Sequence, residues 1–156
     1  MNLPGLSVPF AQLDFRVNES RKEIFDRFRK KWVMLTQEEW VRQQVLDYLV
    51  THRNFPKGMI SVETGLSYSG LKKRSDARVY IPGGDILLLM EFKAASNPVS
   101  ENTFVQAAAY AKILKPDFIF LSNGLQHYWI KCKLVMNGWN DGIPDYLELM
   151  KNRNLI

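Results

Sequence analysis

Ser75-Asp76-Ala77-Arg78-Val79-Tyr80-Ile81-Pro82-Gly83-Gly84-Asp85-Ile86-Leu87-Leu88-Leu89-Met90-Glu91-Phe92-Lys93 is the stretch that decides the fold. Pro82-Gly83-Gly84-Asp85 is a strong turn signal. Ser75 to Ile81 before it reads as a strand, and Ile86 to Phe92 after it is nearly all apolar, as a strand covered on both faces must be. If Ile81 and Ile86 close the loop, Asp76 and Glu91 each lie five residues from it and stand opposite one another. Side chains two apart share a strand face, so Lys93 joins Glu91 while Phe92 points the other way.

Two carboxylates facing each other across a strand pair repel unless something positive lies between them. An acid on so apolar a strand needs a partner charge or a metal. Two carboxylates with a backbone carbonyl and waters suit Mg²⁺ or Mn²⁺, hard cations that take oxygen ligands. Such an ion can activate a water and stabilise charge building on a phosphate. Lys93 can orient that water or steady the charge. The plainer alternative is a surface Glu91–Lys93 ion pair with Asp76 capping a turn.

Outward from this centre, Thr36-Gln37-Glu38-Glu39 forms a capping box that opens a helix running to about Leu49. Val41, Val45, Tyr48 and Leu49 give it a buried stripe. Glu38 falls on the stripe's side one turn earlier, whereas Glu39 projects away. Residues 1–18 read as extended or irregular, and 19–31, with Ile24, Phe25 and Phe28, as a short amphipathic helix or turn. Met59 to Ser67 is a further strand. Residues 101–114 form a helix that stops before Pro116. Phe118–Ser122 and Leu125–Lys131, joined at Asn123-Gly124, form a hairpin. The tail closes on a short helix. The order α, βββ, α, ββ predicts a mixed sheet flanked by helices.

Four further acidic or polar positions and one basic run bear on the same centre. Gln106 and Tyr110 lie one turn apart on the second helix, able to contact substrate or hold Lys93, or simply to complete an amphipathic face. Glu38 and Glu63 either join the acidic cluster or lie on the surface. Lys72, Lys73 and Arg74 form the local basic patch for phosphate contacts, or a solvated loop.

The 156 residues correspond to one domain at roughly 100–200 residues each. At 46% hydrophobic and 24% charged, disorder and fibrous repeats are excluded. No apolar run reaches about 18 residues and no leader pattern is seen, so neither a membrane span nor a signal peptide is expected, and the protein reads as cytoplasmic. One cysteine, Cys132, and two histidines, His52 and His127, cannot build a zinc site of the usual kind. No Gly-x-Ser-x-Gly elbow occurs. Gly65-Leu66-Ser67-Tyr68-Ser69-Gly70 has the glycine spacing of a phosphate loop but continues with Leu71 where lysine is needed, and reads as a plain turn between strands. A net charge of +5 is compatible with a polyanionic partner.

Leu35-Thr36-Gln37-Glu38-Glu39-Trp40-Val41-Arg42-Gln43, Lys73-Arg74-Ser75-Asp76, Leu89-Met90-Glu91-Phe92-Lys93, Gln106-x-x-x-Tyr110 and Ser122-Asn123-Gly124-Leu125-Gln126-His127-Tyr128 together resemble the PD-(D/E)XK nuclease superfamily. More narrowly they resemble the N-terminal nuclease domain of type I restriction enzyme R subunits, in a small stand-alone form. The resemblance implies a restriction-endonuclease-like α/β fold: a mixed β-sheet flanked by helices, an α-βββ-α-β core over about 35–131, an added C-terminal hairpin and tail, and an N-terminal extension over 1–34, all in a single domain of 1–156. It implies that Asp76, Glu91 and the Phe92 carbonyl bind Mg²⁺ or Mn²⁺, that Lys93 serves catalysis, that Gln106 and Tyr110 support the site, and that Glu38 is the first-helix acid. The activity implied is metal-dependent DNA endonuclease chemistry, the hydrolysis of phosphodiester bonds; the alternative is a catalytically idle nucleic-acid-binding or assembly module of the same fold. The partners implied are DNA and a separate restriction-modification or motor subunit. Cutting both strands generally requires two sites, which a homodimer would supply.

Overall fold

The computed structural model describes residues 2–63, 65–68, 71–132 and 139–153, and for 65–68 and 71–74 the backbone alone. Strands β1 (Phe15–Asn18), β2 (Arg21–Asp26) and β3 (Lys31–Met34) form an antiparallel sheet. Helix α1 (Gln37–His52), a 3-10 turn and strand β4 (Ile60–Val62) follow. Next come β5 (Gly65–Tyr68) and β6 (Leu71–Arg74), then β7 (Ala77–Tyr80), β8 (Ile86–Phe92) and α2 (Glu101–Leu114). The chain ends with β9 (Phe118–Ser122), β10 (His127–Lys131), β11 (Asn140–Asp141) and α3 (Tyr146–Asn152). The main sheet runs β11-β10-β9-β8-β7-β4. Among the described residues only β8 and β9 pair in parallel, joined by α2 as a crossover.

Helices cover this sheet on both faces. Leu88, Met90 and Phe92 pack with Val41, Val45, Leu46 and Leu49 of α1. Leu89, on the opposite parity, packs with Ala107 of α2 and with Ile119 and Leu121. That double cover is why β8 reads as a continuous apolar run. Tyr48 departs from the expected stripe: it is half-buried and stacks on His52 at 4.9 Å. The helix continues to His52 rather than stopping near Leu49. α2 matches its predicted span and ends at Lys115, whose φ of 51° is left-handed, just before Pro116.

The β7–β8 register is the one the turn arithmetic predicts. Ala77 pairs with Met90, Arg78 with Leu89 and Val79 with Leu88; a bulge then brings Tyr80 opposite Ile86. Gly83 and Gly84 take φ of 101° and 94°, which residues with a Cβ rarely adopt. The strand itself is shorter than Ser75–Ile81.

Three expectations need correction. Residues 19–31 form neither a helix nor a simple turn: Arg21–Asp26 is a strand with Ile24 fully buried, closed onto β1 by Glu19 and Ser20, both at positive φ. A two-residue hairpin loop with that backbone usually announces itself with Asn or Gly, and here it does not. Met59–Ser67 is not one strand. β4 stops at Val62, Glu63 turns the backbone at φ 52°, and Gly65–Tyr68 pairs with Leu71–Arg74 in a separate hairpin. The Gly65–Gly70 stretch is therefore mostly strand, not a plain turn, and its residues 69–70 lie outside the described residues. Glu39, which projects away from the Val41–Leu49 stripe, is not in solvent either. The N-terminal sheet packs Ile24 and Leu35 with Trp40 and covers that side of α1, leaving Glu39 6% exposed.

The chain turns at Asn123-Gly124 as expected, but the second strand begins at His127, opposite Ser122, rather than at Leu125; Asn123 Oδ1 accepts from the amides of Leu125 (3.0 Å) and Gln126 (2.7 Å) within the loop. Beneath it His127 is clamped between Ser122 Oγ (2.8 Å to Nδ1) and Ser7 Oγ (2.6 Å to Nε2), tying the N-terminal segment to the sheet. Burial pushes the His127 imidazole down to about 4, against a weaker upward pull from Asp141. A neutral buried histidine contributes stability above its ordinary range near 6.5, and that contribution is lost as pH falls through about 4. Native protein should therefore lose on the order of 2 kcal/mol more than His127→Gln between pH 6.5 and 4, read from urea melts in a pH series. Parallel curves for the two proteins would refute it.

Candidate active site

The β7–β8 turn delivers Asp76 and Glu91 to one end of the sheet, as the sequence arithmetic requires. Asp76 lies just before β7, and its Oδ2 accepts the Phe92 amide proton at 2.7 Å. Its Oδ1 faces Arg42 Nη2 at 3.5 Å. Glu91 is one residue from the end of β8; its Oε1 is buried and, among the described residues, has no hydrogen-bond partner. Burial first, and then the charge and hydrogen bond of Asp76, push the Glu91 carboxyl up to about 9, with Lys93 opposing. Glu91 thus stands among acids as well as beside Lys93, whose charge works against the shift. The backbone amide of Lys93 is fixed on Ser122 O at 2.9 Å.

The remaining sequence-predicted residues divide. Glu38 stands beside the pair: burial and the Asp76 charge raise its carboxyl, while Arg42 (3.6 Å) and Lys93 oppose. Glu63 joins the acidic cluster, but its oxygens pair with Arg29 (2.8 Å) and Arg42 (3.0 Å). Tyr110 packs on the α2 face of the sheet. Gln106, one turn earlier, is exposed. Phe92 is fully buried in the main core. Lys72, Lys73 and Arg74 lie on β6, and their side chains are outside the described residues.

Sequence reasoning passed over two arginines that organise the site, Arg42 and Arg29, and set Glu39 apart from it. Arg42 is 3% exposed and holds Glu39 at 3.0 Å as well as Glu63 and Asp76. Glu39 also takes Gln43 Nε2 at 2.8 Å and Arg29 Nη2 at 2.8 Å. Thr36 Oγ1 caps the Glu39 amide at 3.0 Å as predicted, but the Glu39 side chain goes to these partners instead of completing the box. The available signal was a charged residue beside the apolar stripe, since Arg42 is flanked by Val41 and Val45 and spaced to meet both Glu38 and Glu39.

Among the described residues, no group of three or more His, Cys, Asp and Glu side chains is arranged to hold a metal ion. What the site offers is a pair of close carboxylates, one with a buried oxygen that nothing satisfies. That donor set fits a hard divalent cation completed by carbonyl and water oxygens.

A mixed sheet with a helix on each face and an acid pair at the end of its central hairpin defines a restriction-endonuclease-like α/β fold. The chain belongs to the family of the type I restriction enzyme R protein N terminus, whose family model matches residues 37–141. Among solved structures, a fragment assigned to an HsdR subunit of a type I restriction enzyme from Vibrio vulnificus YJ016 is similar at 21% identity and a TM-score of 0.57, over 75% of this chain and 25% of that one. This chain thus spans about a quarter of that relative's length. A structure from Anabaena variabilis ATCC 29413, assigned as a nuclease belonging to DUF820, is similar at 8% identity and a TM-score of 0.48, over 87% of each chain. No curated protein matches. Among the described residues no helix is long and apolar enough to cross a membrane.

Proposed function

We propose that this chain is a metal-dependent DNA endonuclease module that hydrolyses phosphodiester bonds within a type I restriction system. The observation that carries the reading is the buried, unsatisfied Glu91 Oε1 set against Asp76 on the strand that also presents Lys93. Asp76, Glu91 and the Phe92 carbonyl would hold Mg²⁺ or Mn²⁺. Such an ion, when bound, supplies a polarised water and positive charge beside the phosphate. Asp76 is held for this task by the Phe92 amide. The Lys93 ammonium would donate an N–H hydrogen bond to the attacking water or to a phosphate oxygen. Lys72, Lys73 and Arg74 take neighbouring phosphates, and Gln106 and Tyr110 support Lys93 or the substrate backbone from α2. A second copy would provide the second strand's site. The family match supports DNA and a restriction-modification or motor subunit as partners, in the cytoplasm.

Isothermal titration of Mn²⁺, with and without a DNA duplex, tests the reading. Native protein should take up the ion and the Asp76→Ala/Glu91→Ala variant should not. If native protein binds duplex in a steeply salt-dependent way but takes up no Mn²⁺ even with duplex present, the nuclease reading falls and the idle module replaces it.

A further inference from the structure

The family match begins at residue 37, so the β1–β3 sheet lies outside it. A continuous ionic path nevertheless runs from that sheet into the acid pair. Asp26, fully buried at the end of β2, accepts the amides of Phe28 (2.7 Å) and Arg29 (3.0 Å) on Oδ1 and pairs with Arg29 Nε through Oδ2. With its Nε so fixed, Arg29 spreads its two terminal nitrogens onto Glu63 Oε2 (2.8 Å) and Glu39 Oε1 (2.8 Å). Each of those acids gives its other oxygen to Arg42 Nη1, both at 3.0 Å. Arg42 Nη2 then faces Asp76 Oδ1.

Buried ion pairs are a poor source of stability, because desolvation offsets most of the attraction; what they fix is geometry. Arg42 Nε is buried with no hydrogen-bond partner among the described residues, so the guanidinium is located by its two terminal nitrogens. Glu63, which reaches both arginines, has its backbone at φ 52° and its amide anchored on Asp76 O at 2.8 Å. A left-handed glutamate at this join is strained, and strain of that kind persists where the surroundings over-determine it.

We propose that Arg42 is a positioning residue for Asp76 and that Arg29, carried by the N-terminal sheet, sets the place of Arg42, so that the sheet is a working part of the site. The metal readout of the test rests on the proposed function; the stability readout does not. Arg29→Gln should weaken Mn²⁺ binding about tenfold or more, the scale on which outer-shell partners act. Arg29→Lys should recover part of that loss, and Arg16→Gln, which removes an exposed pair with Glu23 in the same sheet, should leave it unchanged. In metal-free protein, the melting-temperature shifts of Arg29→Gln and Asp76→Asn should fall short of their sum when combined, although the residues do not touch. Additive shifts overturn the relay whatever the metal does. Native-like Mn²⁺ affinity in Arg29→Gln, in a native protein that binds the ion, overturns it too. Non-additive shifts in a native protein that takes up no Mn²⁺ uphold the relay and remove the metal assignment. Should Arg29→Gln fail to fold, Arg29→Lys carries both measurements.

Discussion

Glu91→Gln is expected to lose cleavage and yet to melt higher than native protein at pH 8 in the absence of divalent ions. The two halves share one cause. In the folded chain the Glu91 carboxyl is pushed from the ordinary 4.5 up to about 9, chiefly by burial and then by Asp76. A group raised in this way contributes stability that is complete below pH 4.5 and declines as pH rises through about 9, because the unfolded chain releases the proton and the folded chain retains it. Glutamine keeps the shape and cannot ionise, so the gap between variant and native melting temperatures should widen from pH 5 to pH 9, exceeding about 4 °C at pH 8. Saturating Mn²⁺ should narrow the gap, since native protein gains about 2.7 kcal/mol at a hundredfold excess over the dissociation constant and the variant does not. Cleavage by Glu91→Gln, and by Asp76→Ala and Lys93→Ala with it, should fall below about a thousandth of the native rate, beyond the roughly 10–100-fold typical of outer-shell changes. A pH-independent gap would show Glu91 already ionised without metal. Native-level cleavage by any of the three variants would remove its assigned role.

The parts of this molecule that could be read from its sequence are those set by local pattern. β8 is an apolar run because helices cover both its faces, and Pro82 to Asp85 fixes where the chain turns back; together they were enough to set Asp76 against Glu91 before any coordinates. Helix α2 and the Asn123-Gly124 hairpin carry their own stop signals. What escaped was held by contacts distant in sequence. Arg29 meets Glu63 and Arg42 meets Asp76 across 34 residues in each case, and no periodicity reports such a pair. The N-terminal sheet escaped for a different reason: Glu19 and Ser20 turn at positive φ without an Asn or Gly to mark them. With residues 19–31 read as a short helix or turn, nothing stood against that side of α1, and Glu39 read only as projecting away from the buried stripe. The error in the fold thus left Glu39 out of the site, and both trace to one unmarked turn.

Arg42→Met should destabilise the protein by about 3–5 kcal/mol, measured by urea unfolding at pH 7 without metal. The magnitude follows from what is left behind. Glu39 is nearly as buried as Arg42 itself, and Glu63 and Asp76 have side-chain exposures of 23% and 16%. Methionine fills the hydrocarbon part of the arginine but neutralises none of these carboxylates. Arg29 still pairs with Glu39 and Glu63, so the charge left uncompensated is concentrated on Asp76 and Glu38, the two acids that Arg29 does not reach. The pairing of Arg42→Met with Asp76→Asn should recover part of the loss, because it removes one of the stranded charges. A loss below about 1 kcal/mol for Arg42→Met would mean that these ion pairs contribute no more than exposed ones and that Arg42 is not their necessary counter-charge. The native arginine is the counter-charge these acids share, Nη1 on Glu39 and Glu63 and Nη2 facing Asp76, so the contacts that hold α1 to the join before β7 also fix where Asp76 stands.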